Sequence, residues 1–541
     1  MVQLQRGRDK GRESRFENNG SQAQTLSRFL KLFLVLLLVA GVCFRFYNID
    51  RKVYWLDEAR TSLRMSGHTQ TELVQEVFTG QVVDVATLQQ YQRPTPTKTW
   101  GDTLHALKGN AEHTPLYFLL ARLWTEGFGY SIANIRGLSV FFSLLVFPCL
   151  FWLCRELFES PAVAWMAMAL VAVMPLQVLY AQEARPYSLW TMEILLSSAV
   201  LLWAMRSPQN RWRWLTYGIT LVTGLYTQLL FGLVAIAHGL YVLVEEDLLI
   251  KRRWTPTAIG YSLATLGSLT ALLPWLGLIW HNLDQVQEAT QSLYQPYQFS
   301  TLINEWFLNL SRGFIDRELG SLNTLAVVLL AFFPLYYLCR KTSRTTWLFI
   351  ITLVAVTFLA LALPDIFLGG QRSLRIRYFI PSFLGLQIAL AYLLVKQFQA
   401  KSWFARFWQL VGMAVIVGGL MACFSSAQAQ VWWNKSIPRS AYYPEVSALI
   451  NQSDRPLVIS DSDPAEILTF SYWLDEKVKL QLVGRPRQLR VAESYTPTFL
   501  LNPSRRLRTR VKNQGYHLKR LYEDRSNPRK AEPRLWLAEK R

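Results

Sequence analysis

Eleven apolar stretches, each close to the length of a spanning helix, divide the chain between residues 28 and 425. A helix crosses the hydrocarbon core of a bilayer with about 20 largely apolar residues. The stretches are 28–46, 136–154, 161–180, 186–205, 212–228, 230–248, 256–280, 321–339, 346–364, 378–396 and 405–425. The expected fold class is therefore an all-α polytopic membrane protein of about 11 transmembrane helices, with a range of roughly 10 to 13 because 212–248 is tight for two. Composition agrees: the chain is 51% hydrophobic and only 17% charged, whereas soluble chains carry roughly a quarter charged residues. The five cysteines, Cys43, Cys149, Cys154, Cys339 and Cys423, lie in or beside apolar runs with no paired spacing and read as small hydrophobes.

The net charge of +20 is read as an orientation signal, because no zinc-type or nucleic-acid-binding motif accompanies it. A basic arm with Arg6, Arg8, Lys10, Arg12 and Arg15 precedes the first run, which reads as an uncleaved anchor. Arg155, then Arg206, Arg211 and Arg213, then Lys251, Arg252 and Arg253 fall on the side of that arm. So do Arg340, Lys341 and Arg344, and Lys396, Lys401 and Arg406, provided HTPLYFLLARLWTEGFG (113–129) lies along the interface instead of spanning. Positive-inside then makes that side cytoplasmic in a plasma (inner) membrane protein. Three regions are expected: a cytoplasmic arm 1–27, a membrane module 28–425 with an outer loop 47–135, and an extracytoplasmic domain 426–541. In the last, PLVIS, KVKLQLVG, PTFLLN and PRLWLAEK read as strands, and AEILTFSYWL and SRRLRTRVKNQ as helices, which suggests a small α/β domain.

Polar clusters at membrane depth gather on the side opposite the arm, and ionisable residues near a bilayer usually mark function. WLDEAR brings Asp57 and Glu58; adjacent helical residues face different ways, and Asp57 alone would serve equally as the N-cap of a surface helix. EHTPLY brings His113, a residue able to donate to a phosphate or bind a metal. QEARPY brings Glu183, Arg185 and Tyr187, where a simple salt bridge competes with a phosphate-facing arginine. QRSLRIRYF brings Arg372, Arg375 and Arg377, with Tyr378 beside them. These arginines run against the positive-inside trend and suit an anionic headgroup. Asp461-Ser462-Asp463 could hold a metal for a nucleotide sugar, but reads better as a turn before a helix fixed by Pro464. No GxxxxGK[ST] loop or GxGxxG fingerprint is present.

Acids and arginines at one membrane face suit transfer chemistry on a lipid phosphate, with a carboxylate as general base and arginines on the leaving phosphate. WLDEA, HTPLYFLL, QEARPY and RYFIP, in this order and topology, resemble family 39 of the GT-C glycosyltransferases, which includes protein O-mannosyltransferases and aminoarabinose transferases. The resemblance covers roughly residues 28–430. It implies a GT-C fold, a polyprenyl-phosphate-linked sugar as donor, and transfer on the extracytoplasmic face with inversion at the sugar carbon. It also implies a glycan, lipid or protein acceptor. It places the catalytic acid at Asp57 with Glu58 beside it. The charged clusters themselves offer His113, Arg185, Arg372, Arg375, Arg377 and Tyr378 for the donor phosphate, with Glu183 and Tyr187 in support. Two positions depart from the pattern: Thr114 stands where relatives often have proline, and Gln228 where they often have histidine. A divalent metal stays open, since no full ligand set is visible. The alternative is a transporter or flippase of lipid-linked sugars, which needs polar residues through the middle of the bilayer, and His238 is the main one. A membrane scaffold would need neither Asp57 nor Arg185.

Overall fold

The computed structural model describes residues 28–251, 253–317, 320–525 and 531–540; the basic arm 1–27 and Arg252 lie outside them. Every one of the eleven apolar stretches is helical. Among the described residues eight helices are long and apolar enough to cross a membrane, including Arg28–Phe46, Ile132–Phe158 and Tyr187–Met205. The 161–180 stretch is Pro161–Val173 followed by Pro175–Ala181, bent by 63°. Pro175 opens the second piece, and its missing N–H gives the break its cause. The tight 212–248 stretch splits into Arg211–Thr227 and Phe231–Glu245, with Gln228 at the turn between them. Leu116–Phe128 is 13 residues long, about 20 Å at 1.5 Å per residue. It is too short to span, as its aromatic, arginine-interrupted sequence implies. Arg122 donates to the Lys98 and Thr99 carbonyls at 2.6 and 2.7 Å and ties this helix to the loop before it.

Close approach at small residues packs the bundle. A Cβ at Gly41 would fall 2.4 Å from the Ala172 carbonyl oxygen, so the first helix and Pro161–Val173 meet there backbone to backbone. Arg45 exploits that contact, donating to Gly41 O and Ala172 O, each at 2.8 Å. His238 and Glu193 are further ionisable groups buried among the spans. His238 bridges Ser198 and Tyr217 at 3.1 Å each, and Glu193, which the sequence reading passed over, accepts from Thr227 at 3.0 Å.

The tail holds the expected strands and helices, built into a six-stranded sheet in the order β1-β3-β2-β4-β6-β5. The strands are β1 Thr79–Asp84, β2 Leu457–Ser460, β3 Lys479–Val483, β4 Thr498–Leu501, β5 Tyr516–Asp524 and β6 Glu532–Lys540. β2 runs parallel to both β3 and β4; the other pairings are antiparallel. β1 comes from the 47–135 loop, where TGQVVD carried no strong strand signal, and it covers the open edge of β3. Loop and tail therefore share one sheet. Alternation sorts its two faces. Val458, Leu480, Leu482, Phe499 and Leu501 pack toward Tyr54, Trp55, Tyr117 and Leu138 of the membrane module. Leu457, Ile459, Leu500 and Trp536 pack on Leu489, Leu507 and Val511 on the far face.

Candidate active site

At the end of the bundle beneath this sheet lies a cavity of about 1080 Å³. All four polar clusters line it: Asp57 from WLDEAR, His113 from EHTPLY, Arg185 and Tyr187 from QEARPY, and Arg372, Arg375, Arg377 and Tyr378 from QRSLRIRYF; Leu293 and Arg312 join them from residues 281–320. Trp433, Asn434, Ser436 and Arg439 add a wall from the strap that links the last span to the sheet domain. Eight arginines face three carboxylates, Asp57, Glu112 and Glu288. Phe118, Leu229, Leu230, Ile279 and Leu361 make an apolar flank. The lining is thus charged in one part and greasy in another.

The helix Leu56–Met65 separates the two adjacent acids. Trp55, not Asp57, takes the N-cap position, and Glu58 accepts from the Trp55 N–H at 3.3 Å, so the cap reading of Asp57 does not hold. Glu58 points away from the cavity and is fully buried. Its carboxylate accepts from Arg136 Nε and Nη2 at 2.8 Å each, from Lys435 Nζ at 2.9 Å and from the Ala184 N–H at 2.8 Å. Burial pushes the Glu58 carboxyl up, but Arg136 and Lys435 outweigh it and hold it down at about 2. Glu183 is also buried and accepts from Asn434 at 2.9 Å and Lys435 at 3.3 Å. Burial dominates there and pushes its carboxyl up, against the pull of Lys435. The expectation of Glu58 as a second acid at the reacting centre meets a geometry in which five donors enclose it.

Asp57 opens onto the cavity. Its Oδ2 lies 3.5 Å from Arg377 Nη1. Arg185 Nη1 donates to Thr61 Oγ1 at 3.2 Å and approaches the Asp57 carbonyl at 3.4 Å. Burial pushes the Asp57 carboxyl up, but Arg185 and Arg377, helped by Arg60 and Arg64, hold it below the usual aspartate value. Tyr187 lies under both guanidiniums, 5.9 Å from Arg185 and 5.8 Å from Arg377. Arg185 Nε and Arg377 Nε are buried with no partner, so each arginine keeps a donor in reserve. His113 faces the same cavity beside Glu112, 3.8 Å away. Burial, reinforced by Arg64 and Arg185, pushes its imidazole well below the usual value, which leaves it neutral. Arg372 lines the rim but is engaged, donating to Asp365 at 2.9 Å and stacking 4.4 Å over Tyr294. Gln228, one of the two departures from the family pattern, also lines the cavity.

Asp463 does not face the cavity chemistry. It caps the helix Pro464–Ser471 by accepting from the Ala465 N–H at 2.8 Å, and it pairs with Arg60 at 3.3 Å. Asp461 accepts from the Ser504 N–H at 2.9 Å. The turn reading of DSDP therefore stands. Among the described residues, no three His, Cys, Asp or Glu side chains come together as metal ligands.

Two functional-looking residues were missed from the sequence. Arg136 was counted as the first residue of a span, though it opposes the positive-inside trend as the 371–379 arginines do. Lys435 sits in VWWNKSIP, at the start of the region 426–541 read as the extracytoplasmic domain, outside its strand and helix patterns. In the structure this strap is pinned by Asp316, which accepts from Trp432 Nε1 at 2.7 Å and Trp433 Nε1 at 2.6 Å.

Residues 112–280 match the family described as dolichyl-phosphate-mannose-protein mannosyltransferase. No curated protein matches the chain in sequence. In overall structure the chain resembles ArnT from Cupriavidus metallidurans bound to undecaprenyl phosphate, with a TM-score of 0.51 and 13% identity over 94% of this chain and 98% of that one. It also resembles the archaeal oligosaccharyltransferase AglB from Archaeoglobus fulgidus, in complex with an inhibitory peptide and a dolichol-phosphate, with a TM-score of 0.43 and 13% identity over 83% and 64%. The GT-C resemblance read from the four motifs is borne out: the chain is a multi-pass membrane protein of GT-C-like fold with a small C-terminal sheet domain.

Proposed function

We propose that this protein is a membrane glycosyltransferase that takes its sugar from a polyprenyl-phosphate donor and passes it to an acceptor hydroxyl or similar group on the extracytoplasmic face. The observation that carries the reading is the Asp57 carboxylate 3.5 Å from the Arg377 guanidinium, inside an arginine-rich cavity with an apolar flank at one end of a membrane bundle. ArnT in the matched structure holds undecaprenyl phosphate, which supports a lipid-linked donor here. The isoprenoid chain would lie against Phe118, Leu229 and Leu361, and the phosphate would meet Arg377, Arg185 and Arg375. The basic links between the spans support a cytoplasmic side of a plasma (inner) membrane for the end opposite the cavity, with the cavity and sheet domain outside.

Transfer is a single displacement. Asp57 takes the proton of the acceptor O–H, the acceptor oxygen forms the new bond to the anomeric carbon, and the old bond from that carbon to the phosphate oxygen breaks. The polyprenyl phosphate leaves with the electron pair, and Arg377 and Arg185 receive the developing charge. The same two arginines make resting Asp57 a weak base, because they stabilise its carboxylate. A donor phosphate that shares them returns basicity to Asp57. Glu58 is assigned the part of positioning residue: it fixes the start of the helix that presents Asp57. Glu183 supports the same lysine.

The test is purified protein in nanodiscs with a polyprenyl-phosphate sugar labelled in the sugar, supplied with native membranes as acceptor source. Label is expected to leave the carrier lipid for a new product; a carrier that stays fully loaded while the protein is folded overturns the reading. Arg377→Ala is expected to weaken binding of polyprenyl phosphate and to lower turnover, together by about 10² to 10³, the cost of removing one charge-stabilising donor. Unchanged affinity and rate would exclude Arg377 from the phosphate site. The pH dependence follows from the two shifts. Asp57 lies below the ordinary aspartate value of about 3.9 and neutral His113 below about 6.5, so neither should titrate between pH 6 and 8. The acid limb of kcat/KM is expected below the ordinary aspartate range; a limb centred near pH 6.5 would contradict the assignment.

A further inference from the structure

The far face of the sheet domain carries an unneutralised positive surface that the proposed transfer does not use. Residues 484–492 and 502–519 contain nine arginines and lysines and no acidic residue. The two segments are joined in space: Arg510 Nε and Gln514 Nε2 both donate to the Leu489 carbonyl at 3.0 Å. Leu507 and Val511 anchor the helix Arg505–Lys512 to the sheet. Its polar side, with the turn beside it, exposes Arg485, Arg487, Arg490, Arg505, Arg506 and Lys512. None of these six makes an ion pair among the described residues. Elsewhere in the domain Arg534 is neutralised by Asp524 and Glu532, and Arg439 by Glu466. Like charges gathered without counter-charge destabilise the folded domain through self-repulsion, so a surface of this kind fits a partner that supplies the missing charge.

Direction decides which anion. The sheet face that packs on the membrane module is the one with Val458, Leu480 and Phe499. The basic helix lies on the opposite face with Leu457, Ile459 and Leu500, and so looks away from the bundle and its bilayer. A lipid headgroup is on the wrong side. A single small anion is also a poor match, because the charges spread over two exposed segments and one exposed ion pair is weak. Repeating charge along a chain meets both conditions. We propose that this face is a docking surface for an anionic polysaccharide that bears carboxylate or phosphate groups, one that lies outside the membrane. The proposal rests on the reading above that this end of the protein is extracytoplasmic.

The test uses full-length protein in zwitterionic nanodiscs, with polygalacturonic acid as probe and dextran as neutral control. Wild type is expected to bind polygalacturonate and not dextran, with affinity falling at least tenfold between about 50 and 300 mM salt as screening rises. Arg487→Ala/Arg505→Ala/Arg506→Ala is expected to weaken binding at least tenfold, while the corresponding triple lysine variant, which keeps the charge, binds within about threefold of wild type. Equal binding by the alanine triple would overturn the proposal. So would capture of phosphatidylglycerol vesicles through these residues with no polygalacturonate binding, since that would make the face a lipid contact. The triple lies away from the cavity, so donor turnover should be unchanged in it. Absence of donor turnover in wild type would sink the glycosyltransferase reading and leave the polysaccharide result standing.

Discussion

Arg136→Ala is expected to leave little folded protein. The substitution removes both guanidinium contacts to Glu58 and the bonds that Arg136 donates to the Ile49, Lys52 and Val53 carbonyls at 2.7, 3.0 and 2.9 Å. Arg136 and Glu58 are both fully buried. Breaking one side of a buried pair costs about 3–5 kcal/mol, because the remaining charge is left without compensation. Three backbone acceptors lose their donor at the same time. Total stabilities of roughly 5–15 kcal/mol make that a large share. Lys435 keeps one contact with Glu58, so the loss should be severe without being the whole of the network's worth. Thermal unfolding in detergent, with size-exclusion recovery, checks it; a variant with wild-type recovery and melting would show that the network is dispensable. The conservative Arg136→Lys also loses the two-pronged geometry and should fall between the two.

Asp57→Asn is expected to do the opposite: a normal fold with almost no turnover. The amide has nearly the shape of the carboxylate, and the side chain opens onto the cavity, so little packing changes. The proton acceptor is gone, and general base catalysis supplies roughly 10²–10⁴ in rate. Donor affinity should hold or improve, since Arg377 and Arg185 no longer share their charge with a carboxylate. The measurement is kcat for sugar transfer beside Kd for polyprenyl phosphate. A large loss of donor affinity with kcat unchanged would mean that Asp57 binds and does not catalyse.

Most of what places the site is legible in the sequence. All eleven apolar stretches are helical, because a spanning segment must be long and greasy whatever its neighbours do, but among the described residues only eight are single helices long and apolar enough to span, or nine with the bent pair Pro161–Val173 and Pro175–Ala181. The charge pattern gathered Asp57, His113, Arg185 and Arg377 at one end, and the cavity contains all four. What escaped was tertiary. β1 is a polar strand that becomes one only by pairing with β3, some 400 residues later, and no local signal announces such a partner. Adjacent Asp57 and Glu58 look equivalent in WLDEAR; only Arg136 and Lys435, distant in sequence, decide that one is enclosed and the other exposed to the cavity. Lys435 was invisible for the same reason, as a single cation in an irregular strap has no periodicity. Arg136 was not invisible. An arginine at the cavity end of a span runs against the positive-inside trend at Arg136 just as it does at Arg377.

The account stands or falls on sugar leaving the lipid carrier under the control of Asp57. Wild-type and Asp57→Asn protein, matched for melting temperature in nanodiscs, would receive the same sugar-labelled polyprenyl phosphate and the same native membranes. The account predicts that wild type empties the carrier into product while Asp57→Asn leaves it loaded, slower by at least about a hundredfold. Equal release by the two proteins would contradict it.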